Sequence, residues 1–386
     1  MSQFSVIDNI NLPSTAAPAP PRTVEVGAAR NLVTNRQWHV AGENYADAAA
    51  LVTPTHSGLF LVGENSRRHA ADLRIQYPNT PFIAEPHALS GYWADEDAPF
   101  GIPDGRGGFD TAMPLEAMLD RQRLGGNPLA MTPTGQIRVG DSEALKAVIE
   151  AANALDRDDV LVSVPLAANW LSKLPLTDQV IKVLNRSRHP IALTFTDGKS
   201  PLESMVRTRA HRRLIASTTV GVLVYRTDLN GFDAIAQGAL AAAIGAYPSK
   251  RRLDPVDANI FGPKDREALS PQMLIPDMLR IVRSTEMRKK WFVSAPPLDC
   301  FCIVCGGAPI DRLHESTSER AAGHRHNVLG LERLASILLG TPQSQRAAVW
   351  AGLVNGALDT YPQLESYLGR PVRIPNDLKV WGEPTG

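Results

Sequence analysis

The sequence predicts an α/β protein of the (β/α)₈ class, the TIM barrel. Short runs of apolar residues alternate with amphipathic stretches along most of the 386 residues. Runs that are apolar at nearly every position are typical of parallel strands with helices packed on both faces of the sheet. Roughly eight such units in a chain of this length favour a barrel over an open doubly wound sheet. No Gly-x-Gly-x-x-Gly follows the first predicted strand, and no P-loop pattern occurs, so nucleotide-binding folds of those two kinds are not indicated.

The predicted elements follow in regular order. The apolar runs that predict strands are 58–63, 82–85, 129–133, 160–165, 191–195, 220–225, 241–247 and 291–293. The stretches with helical periodicity are 67–77, 142–155, 177–188, 201–215 and 231–238. Ser142 stands where an N-cap is expected for the second of these helices. Between the strands at 82–85 and 129–133 lies a long insert rich in Gly, Pro and Asp.

Composition predicts three regions. Residues 1–30 are rich in Pro, Ala and Ser and are expected to form a flexible arm. Residues 31–295 hold the predicted barrel, and residues 296–386 a zinc-binding and helical region packed against it. No secretory signal and no apolar run long enough to span a bilayer occurs, which predicts a cytoplasmic protein with no membrane partner. Its three cysteines fit a reducing compartment.

Polar residues follow several predicted strands. In a barrel, chemistry takes place where the strands end at their C-terminal edge. The residues at these positions are Glu64, Glu85, Thr132, Asp197 and Asp228. The alternative interpretation of each carboxylate is a cap on the helix that follows.

Formal net charge is zero, but basic residues cluster in the second half of the chain. The clusters are Arg207, Arg209, Arg212 and Arg213, then Lys250, Arg251 and Arg252, then Arg288, Lys289 and Lys290. Such clusters favour phosphate binding on one face. Solvated helix faces would give the same pattern.

All three cysteines fall within six residues, in Cys300-Phe301-Cys302-Ile303-Val304-Cys305. Three thiolates and one histidine complete a tetrahedral zinc site with no position left open for water, so the site is expected to be structural. His314, His324 and His326 are the candidates for the fourth ligand. Three unrelated buried cysteines are the alternative.

The Cys-x-Cys-x-x-Cys pattern, followed about twenty residues later by His326-Asn327 at the start of an apolar helix, resembles the tRNA-guanine transglycosylases. The resemblance implies that Cys300, Cys302, Cys305 and His326 bind structural Zn²⁺ beside a (β/α)₈ barrel, with His324 and His314 as fallback ligands. Ala246-Tyr247-Pro248-Ser249-Lys250-Arg251 is similar to the family's Pro-Thr-Arg segment. Lys250, Arg251 and Arg252 are therefore expected to hold nucleic-acid phosphates.

The sequence also departs from that family. The family's nucleophilic aspartate precedes Pro-Thr-Arg, where this chain has Ala243, Ile244, Gly245 and Ala246, and none of these is a nucleophile. The family's second aspartate has its nearest counterpart in Glu85. These departures indicate a distant member, similar to the branch that inserts 7-deazaguanines into DNA.

Two functions follow from the resemblance. One is an enzyme, a pentosyltransferase that exchanges guanine for a 7-deazaguanine base in tRNA or DNA. Its catalytic candidates are Asp228, Asp197 and Glu85, and the base must leave its stack to reach them. The other is a non-catalytic module on the same scaffold that binds nucleic acid or partners an active subunit. Family members pair through the zinc-side region, so a homodimer or heterodimer is an expectation.

Overall fold

The structure is a computed structural model that describes residues 29–42, 45–86, 91–101, 114–124, 126–197, 200–257, 270–314 and 316–383. Residues 1–28 of the predicted arm, and parts of the insert that precedes the third predicted strand, lie outside this set. None of the described helices combines the length and the apolar content needed to cross a membrane.

Eight parallel strands form one curled sheet. In chain order they are β1 (Arg36–Ala41), β2 (Ser57–Leu61), β3 (Phe82–Ala84), β4 (Ala130–Met131), β5 (Val160–Ala167), β6 (Ile191–Thr196), β7 (Val222–Thr227) and β8 (Ala241–Gly245). Their order across the sheet is β3-β2-β1-β8-β7-β6-β5-β4. The α/β class and the parallel sheet are thus confirmed.

One hydrophobic cluster shows how strongly the sheet curls. It takes inward-facing side chains from all eight strands, among them Trp38, Phe60, Met131 and Tyr225. Residues at the alternate strand positions pack outward against helices. Since side chains alternate between the two faces of a strand, this division separates an inner core from an outer layer.

The sheet has a seam between β3 and β4, which make no backbone ladder in the described part of the chain. The Gln122 side chain accepts from Met131 N–H (2.9 Å) and donates to Met131 O (2.8 Å), so it satisfies the free edge of β4. On β3, Ala84 N–H donates to Asn127 Oδ1 at 3.1 Å. Side-chain amides therefore stand in the place of an eighth strand pairing.

Helices pack around this sheet, and three further helices follow it at the C-terminal end of the chain. They are α1 (Ala29–Val33), α2 (Tyr45–Ala49), α3 (Ser66–Gln76), α4 (Leu115–Arg123), α5 (Ser142–Asn153), α6 (Leu174–Leu184), α7 (Met205–Ser217), α8 (Asn230–Ala236), α9 (Ser284–Glu286), α10 (Thr317–Gly340), α11 (Arg346–Leu368) and α12 (Asn376–Trp381). The N-cap of α5 is Asp141, whose side chain accepts from Ala144 N–H, so the prediction of Ser142 was wrong by one residue.

The C-terminal helices share a second core with two small hairpins. The hairpins are β9 (Gln272–Ile275) with β10 (Arg280–Arg283), and β11 (Asp299–Cys300) with β12 (Ala308–Pro309), both antiparallel. Trp350 and Trp381 are buried in this core, with ring centroids 5.6 Å apart. Its packing places α10 against β1 and β9.

Two strand predictions need correction. Residues 287–291 form a π-helical turn, and residues 291–293 are not a strand. The strand β1 was missed because its alternating polar residues, Gln37 and His39, do not look like core positions. Both are buried, and His39 Nε2 lies 2.6 Å from Glu332 Oε1 on α10, which offsets the cost of its burial.

Candidate functional site

The predicted metal ligands lie together. The Sγ atoms of Cys300, Cys302 and Cys305 are each 3.5 Å from His326 Nδ1. All four ligand atoms lie within 4.8 Å of one another. A tetrahedral zinc ion with ordinary Zn–S and Zn–N bonds would separate a sulfur from the imidazole nitrogen by about 3.5 Å. The donor set and its spacing therefore fit a closed four-ligand metal site.

Hydrogen bonds to its own carbonyl groups shape the backbone of residues 300–307, called the knuckle from here on. Cys302 O accepts from the N–H groups of Cys305 (3.0 Å) and Gly306 (2.8 Å), and Cys300 O accepts from Gly307 N–H at 2.9 Å. Gly306 and Gly307 have φ values of +60° and +85°, which residues with a Cβ adopt only with strain. This turn brings the third sulfur back to the first two.

His326 is held with its ring in one orientation. Its Nε2 lies 2.8 Å from the carbonyl oxygen of Leu274, which can only accept. In the neutral ring the proton therefore sits on Nε2, and Nδ1 presents a lone pair to the sulfur atoms. This carbonyl contact is the usual outer partner of a metal-binding histidine.

The electrostatics of the cluster suit a cation. Hydrogen bonds with Cys302 and Cys305 raise the pKa of the Cys300 thiol, and those with Cys300 lower the pKa of both other thiols. Burial opposes protonation of His326, but hydrogen bonds with Cys302 and Cys305 raise its pKa to about 9. Binding of a metal ion would displace these protons.

The two fallback histidines lie elsewhere. The His324 ring stacks on Tyr247, with centroids 4.3 Å apart, and burial lowers its pKa to about 4. His314 Nε2 lies 2.6 Å from Arg288 Nη1. Neither belongs to the four-residue group.

Asn327 connects the Cys₃His group to the segment that follows β8. Its Nδ2 donates to Ala246 O (2.7 Å) and Gln272 O (2.6 Å), and its Oδ1 accepts from Leu274 N–H (2.7 Å). Because His326 contacts the same Leu274, two successive residues of α10 fix the backbone on both sides of the metal group.

The predicted strand-end residues contact different partners. Asp228 Oδ1 accepts from the N–H and the Nδ2 of Asn230, at 2.9 and 2.8 Å, at the start of α8. Asp197 is ion-paired with Arg207 of α7. Thr132 Oγ1 lies 2.7 Å from Thr134 Oγ1 and accepts from Ser163 N–H, and Glu64 is exposed.

Glu85 is the candidate carboxylate that lies inside the sheet. It follows β3, is 7% exposed, and accepts from Arg226 Nη2 at Oε1 (2.7 Å) and from Arg226 Nε at Oε2 (3.0 Å). The Tyr225 hydroxyl donates to the same Oε2. Two neighbouring residues of a distant strand therefore hold the Glu85 carboxylate in one orientation.

A β-bulge in β7 makes this contact geometrically possible. Between the registered pairs Val224–Ala242 and Thr227–Ile244, two residues of β7 face one residue of β8. Arg226 has a left-handed φ of +50° at this point. Tyr225 packs inward, and simple alternation would turn Arg226 outward, so the bulge is what aims both side chains at Glu85.

The three basic residues that follow β8, Lys250, Arg251 and Arg252, have different contacts. The half-buried Arg251 donates to Gly245 O (2.8 Å), Ala246 O (2.9 Å) and Gln272 Oε1 (2.6 Å), and burial lowers its pKa to about 10. Arg252 Nε lies 2.8 Å from Asp254 Oδ1. Lys250 Nζ lies 5.8 Å from the centre of the Tyr247 ring. Arg251 thus secures the backbone, while Lys250 and Arg252, which are also half-buried, contact Tyr247 and Asp254.

Tyr225 and Arg226 were not predicted as site residues. The apolar run of the seventh strand ends at Tyr225, and an arginine after it looks like an ordinary boundary. No pattern in the sequence announces a left-handed conformation at an arginine.

Comparison with models of known protein families gives no match, and comparison with curated proteins gives no significant match.

Proposed function

We propose that this chain is a transglycosylase-like protein that exchanges guanine for a 7-deazaguanine base in a nucleic acid, tRNA or DNA. The observation that carries the proposal is the Glu85 cluster, a carboxylate oriented by Tyr225 and Arg226 beside the C-terminal end of the sheet. Sequence resemblance to the transglycosylases at the Cys₃His group and at His326-Asn327 supports it. The proposal includes closure of the curled sheet as a (β/α)₈ barrel and zinc as the bound metal.

The reaction assigned to Glu85 is nucleophilic displacement. A Glu85 oxygen attacks C1′ of the target nucleotide and the C1′–N9 bond breaks, so guanine leaves with a proton and a glycosyl ester remains. N9 of the incoming base then attacks C1′, the ester bond breaks, and the carboxylate is regenerated. Arg226 and Tyr225 stabilise the carboxylate before and after the exchange. Asp197 or Asp228, in its protonated form, would donate the proton with which guanine leaves and would recover a proton from N9 of the incoming base.

The metal group would hold structure and not take part in these steps. Cys300, Cys302, Cys305 and His326 would bind zinc, which fixes the knuckle and, through His326 and Asn327, the backbone of β9 and Ala246. Lys250 and Arg252 would hold phosphates of the polymer.

The test is incorporation of radiolabelled guanine, or of a labelled 7-deazaguanine base, into tRNA and into duplex DNA under zinc-replete conditions. Incorporation into one polymer that Glu85→Gln abolishes is the expected result. Thr55→Ala, a surface variant, is the control and should incorporate like wild type. No incorporation into either polymer would refute the enzyme proposal.

A second candidate, a non-catalytic nucleic-acid-binding or partner subunit, is favoured by two observations. Asp228 and Asp197 are engaged with Asn230 and Arg207, as residues that cap or brace helices are. The segment that carries the nucleophile in the resembling family is alanine, isoleucine and glycine here. Binding of either polymer without incorporation would support this candidate.

A further inference from the structure

A short segment crosses the C-terminal end of the sheet above Glu85. Residues 252–257, called the strap from here on, leave the end of β8 and run past the ends of β7 and β6. The carbonyl oxygen of Arg252 lies 3.5 Å from Arg226 Nη1, and Leu253 forms a parallel bridge with Thr196. The strap therefore lies over the residue that holds Glu85.

The root of the strap is fixed. Gly245 packs so closely on the following turn that an added Cβ would lie 2.4 Å from the carbonyl carbon of Lys250. Arg251 donates to the carbonyl oxygens of Gly245 and Ala246, and Asn327 donates to Ala246 O as well. Three independent contacts thus keep the root in place.

Among the described residues, Gln136 and Trp93 hold the far end of the strap. Gln136, fully buried beyond the end of β4, donates to Asp254 O at 2.8 Å and accepts from Val256 N–H at 3.1 Å. Trp93 Nε1 adds an exposed contact to Asp257 at 3.2 Å. The Gln136 amide therefore holds two backbone groups of a segment in which Leu253 is buried, Arg252, Pro255 and Val256 are half-buried, and Asp254 and Asp257 are exposed.

Leu253 is the one fully buried apolar residue of the strap, and Pro255 and Val256 are half-buried. Leu253 is 3% exposed, whereas Asp254 and Asp257 are exposed and Asp254 is ion-paired with Arg252 within the strap. Segments with few buried apolar contacts open at low free-energy cost, well below global unfolding. The strap thus has a fixed start at Gly245 and Arg251, one polar contact at Gln136 and one buried apolar residue, Leu253. This combination is suited to a hinged movement.

We propose that the strap is a movable cover that closes the mouth of the sheet over Glu85, with Gln136 as the positioning residue that holds it shut. Access of any ligand to the Glu85 carboxylate then requires release of the Gln136 clamp. This inference rests on the proposed function only for the identity of the ligand that reaches Glu85. Its test uses no substrate, so its failure would leave the incorporation test standing.

The experiment compares wild type with Gln136→Leu, Leu253→Ala and Gln122→Leu in the zinc-loaded full chain. Two local readouts are measured: hydrogen exchange of the peptide containing the Val256 amide, and carbodiimide labelling of Glu85 followed by mass spectrometry. Gln122 is the matched control, because it is also a buried glutamine bonded to backbone through both ends of its amide, but at the seam. Metal content and the exchange of β1 and β8 peptides report whether the fold is intact.

The expected result is that both readouts rise roughly tenfold or more in Gln136→Leu and in Leu253→Ala, while β1 and β8 exchange as in wild type. Gln122→Leu should leave both readouts near the wild-type rate. Two results would overturn the proposal: wild-type rates in the two strap variants, or an equal rise in Gln122→Leu. If Gln136→Leu does not fold, Leu253→Ala alone decides between these outcomes.

Discussion

Glu85 and Arg226 form a two-bonded ion pair across the interior of the sheet, from the end of β3 to the bulge of β7. The strands β2, β1 and β8 lie between them in the sheet order. The pair therefore does not belong to one local turn. It links the side of the sheet next to the seam with the opposite side.

The stability of this pair can be tested by breaking it. Because both side chains are largely buried, Arg226→Leu would leave the Glu85 charge without its partner and should cost about 3–5 kcal/mol of unfolding free energy. The double variant Glu85→Leu/Arg226→Leu should cost less than Arg226→Leu alone. Urea unfolding measures both.

The exposed pair Asp178–Arg213 provides the control for that experiment. Their side chains are 50% and 52% exposed, so Arg213→Leu should cost about 1 kcal/mol or less. If Arg226→Leu costs no more than Arg213→Leu, the Glu85 carboxylate is not held by Arg226 as described.

The Cys₃His group predicts that substitutions at two histidines will change the metal content differently. Purified wild type should contain about one equivalent of zinc. His326→Ala should lose it and expose the knuckle to proteolysis, because Nδ1 of His326 faces all three sulfurs. His314→Ala should keep the full equivalent. Elemental analysis decides, and a metal-free wild type would refute the site.

The clustering of the Cys₃His group could be predicted from the sequence, whereas the Glu85 cluster could be predicted only in part. Three cysteines within six residues can bind one metal in few ways, so their spacing alone determines how the three sulfur atoms are placed. Glu85 was found because it ends a strand, but Arg226 is 141 residues away and reaches it through a bulge. Bulge formation depends on the pairing of β7 with β8, which no local pattern encodes. The same limit explains the missed strand β1, whose buried His39 is satisfied by Glu332 on a helix nearly three hundred residues later.

Acid should weaken the fold through His211. This residue of α7 is fully buried, neither ring nitrogen has a hydrogen-bond partner among the described residues, and burial lowers its pKa to about 4. A histidine with an ordinary pKa when unfolded and a lowered one when folded binds more protons in the unfolded chain between these values. Stability should therefore fall as the pH drops from about 6.5 towards 4, by an amount on the order of 2–3 kcal/mol.

His211→Leu isolates this effect from other titrating groups. The variant should lose less unfolding free energy than wild type when urea unfolding is repeated at pH 7 and pH 4.5. Its stability at pH 7 should be close to wild type or higher, because two unpaired buried nitrogens are removed. Parallel pH profiles for the two proteins would contradict the assignment.

The last prediction concerns Gln122, at the seam between β3 and β4. Gln122→Leu would leave the N–H and C=O groups of Met131 buried and unpaired, which should cost about 2–4 kcal/mol of unfolding free energy. Gln363→Leu, at an exposed glutamine of α11, should change stability by no more than about 0.5 kcal/mol. Hydrogen exchange of the Met131 amide should accelerate in Gln122→Leu only. If Gln122→Leu is as stable as wild type, β3 and β4 must be able to pair directly, and the sheet would then be a fully closed barrel whose side-chain seam is dispensable.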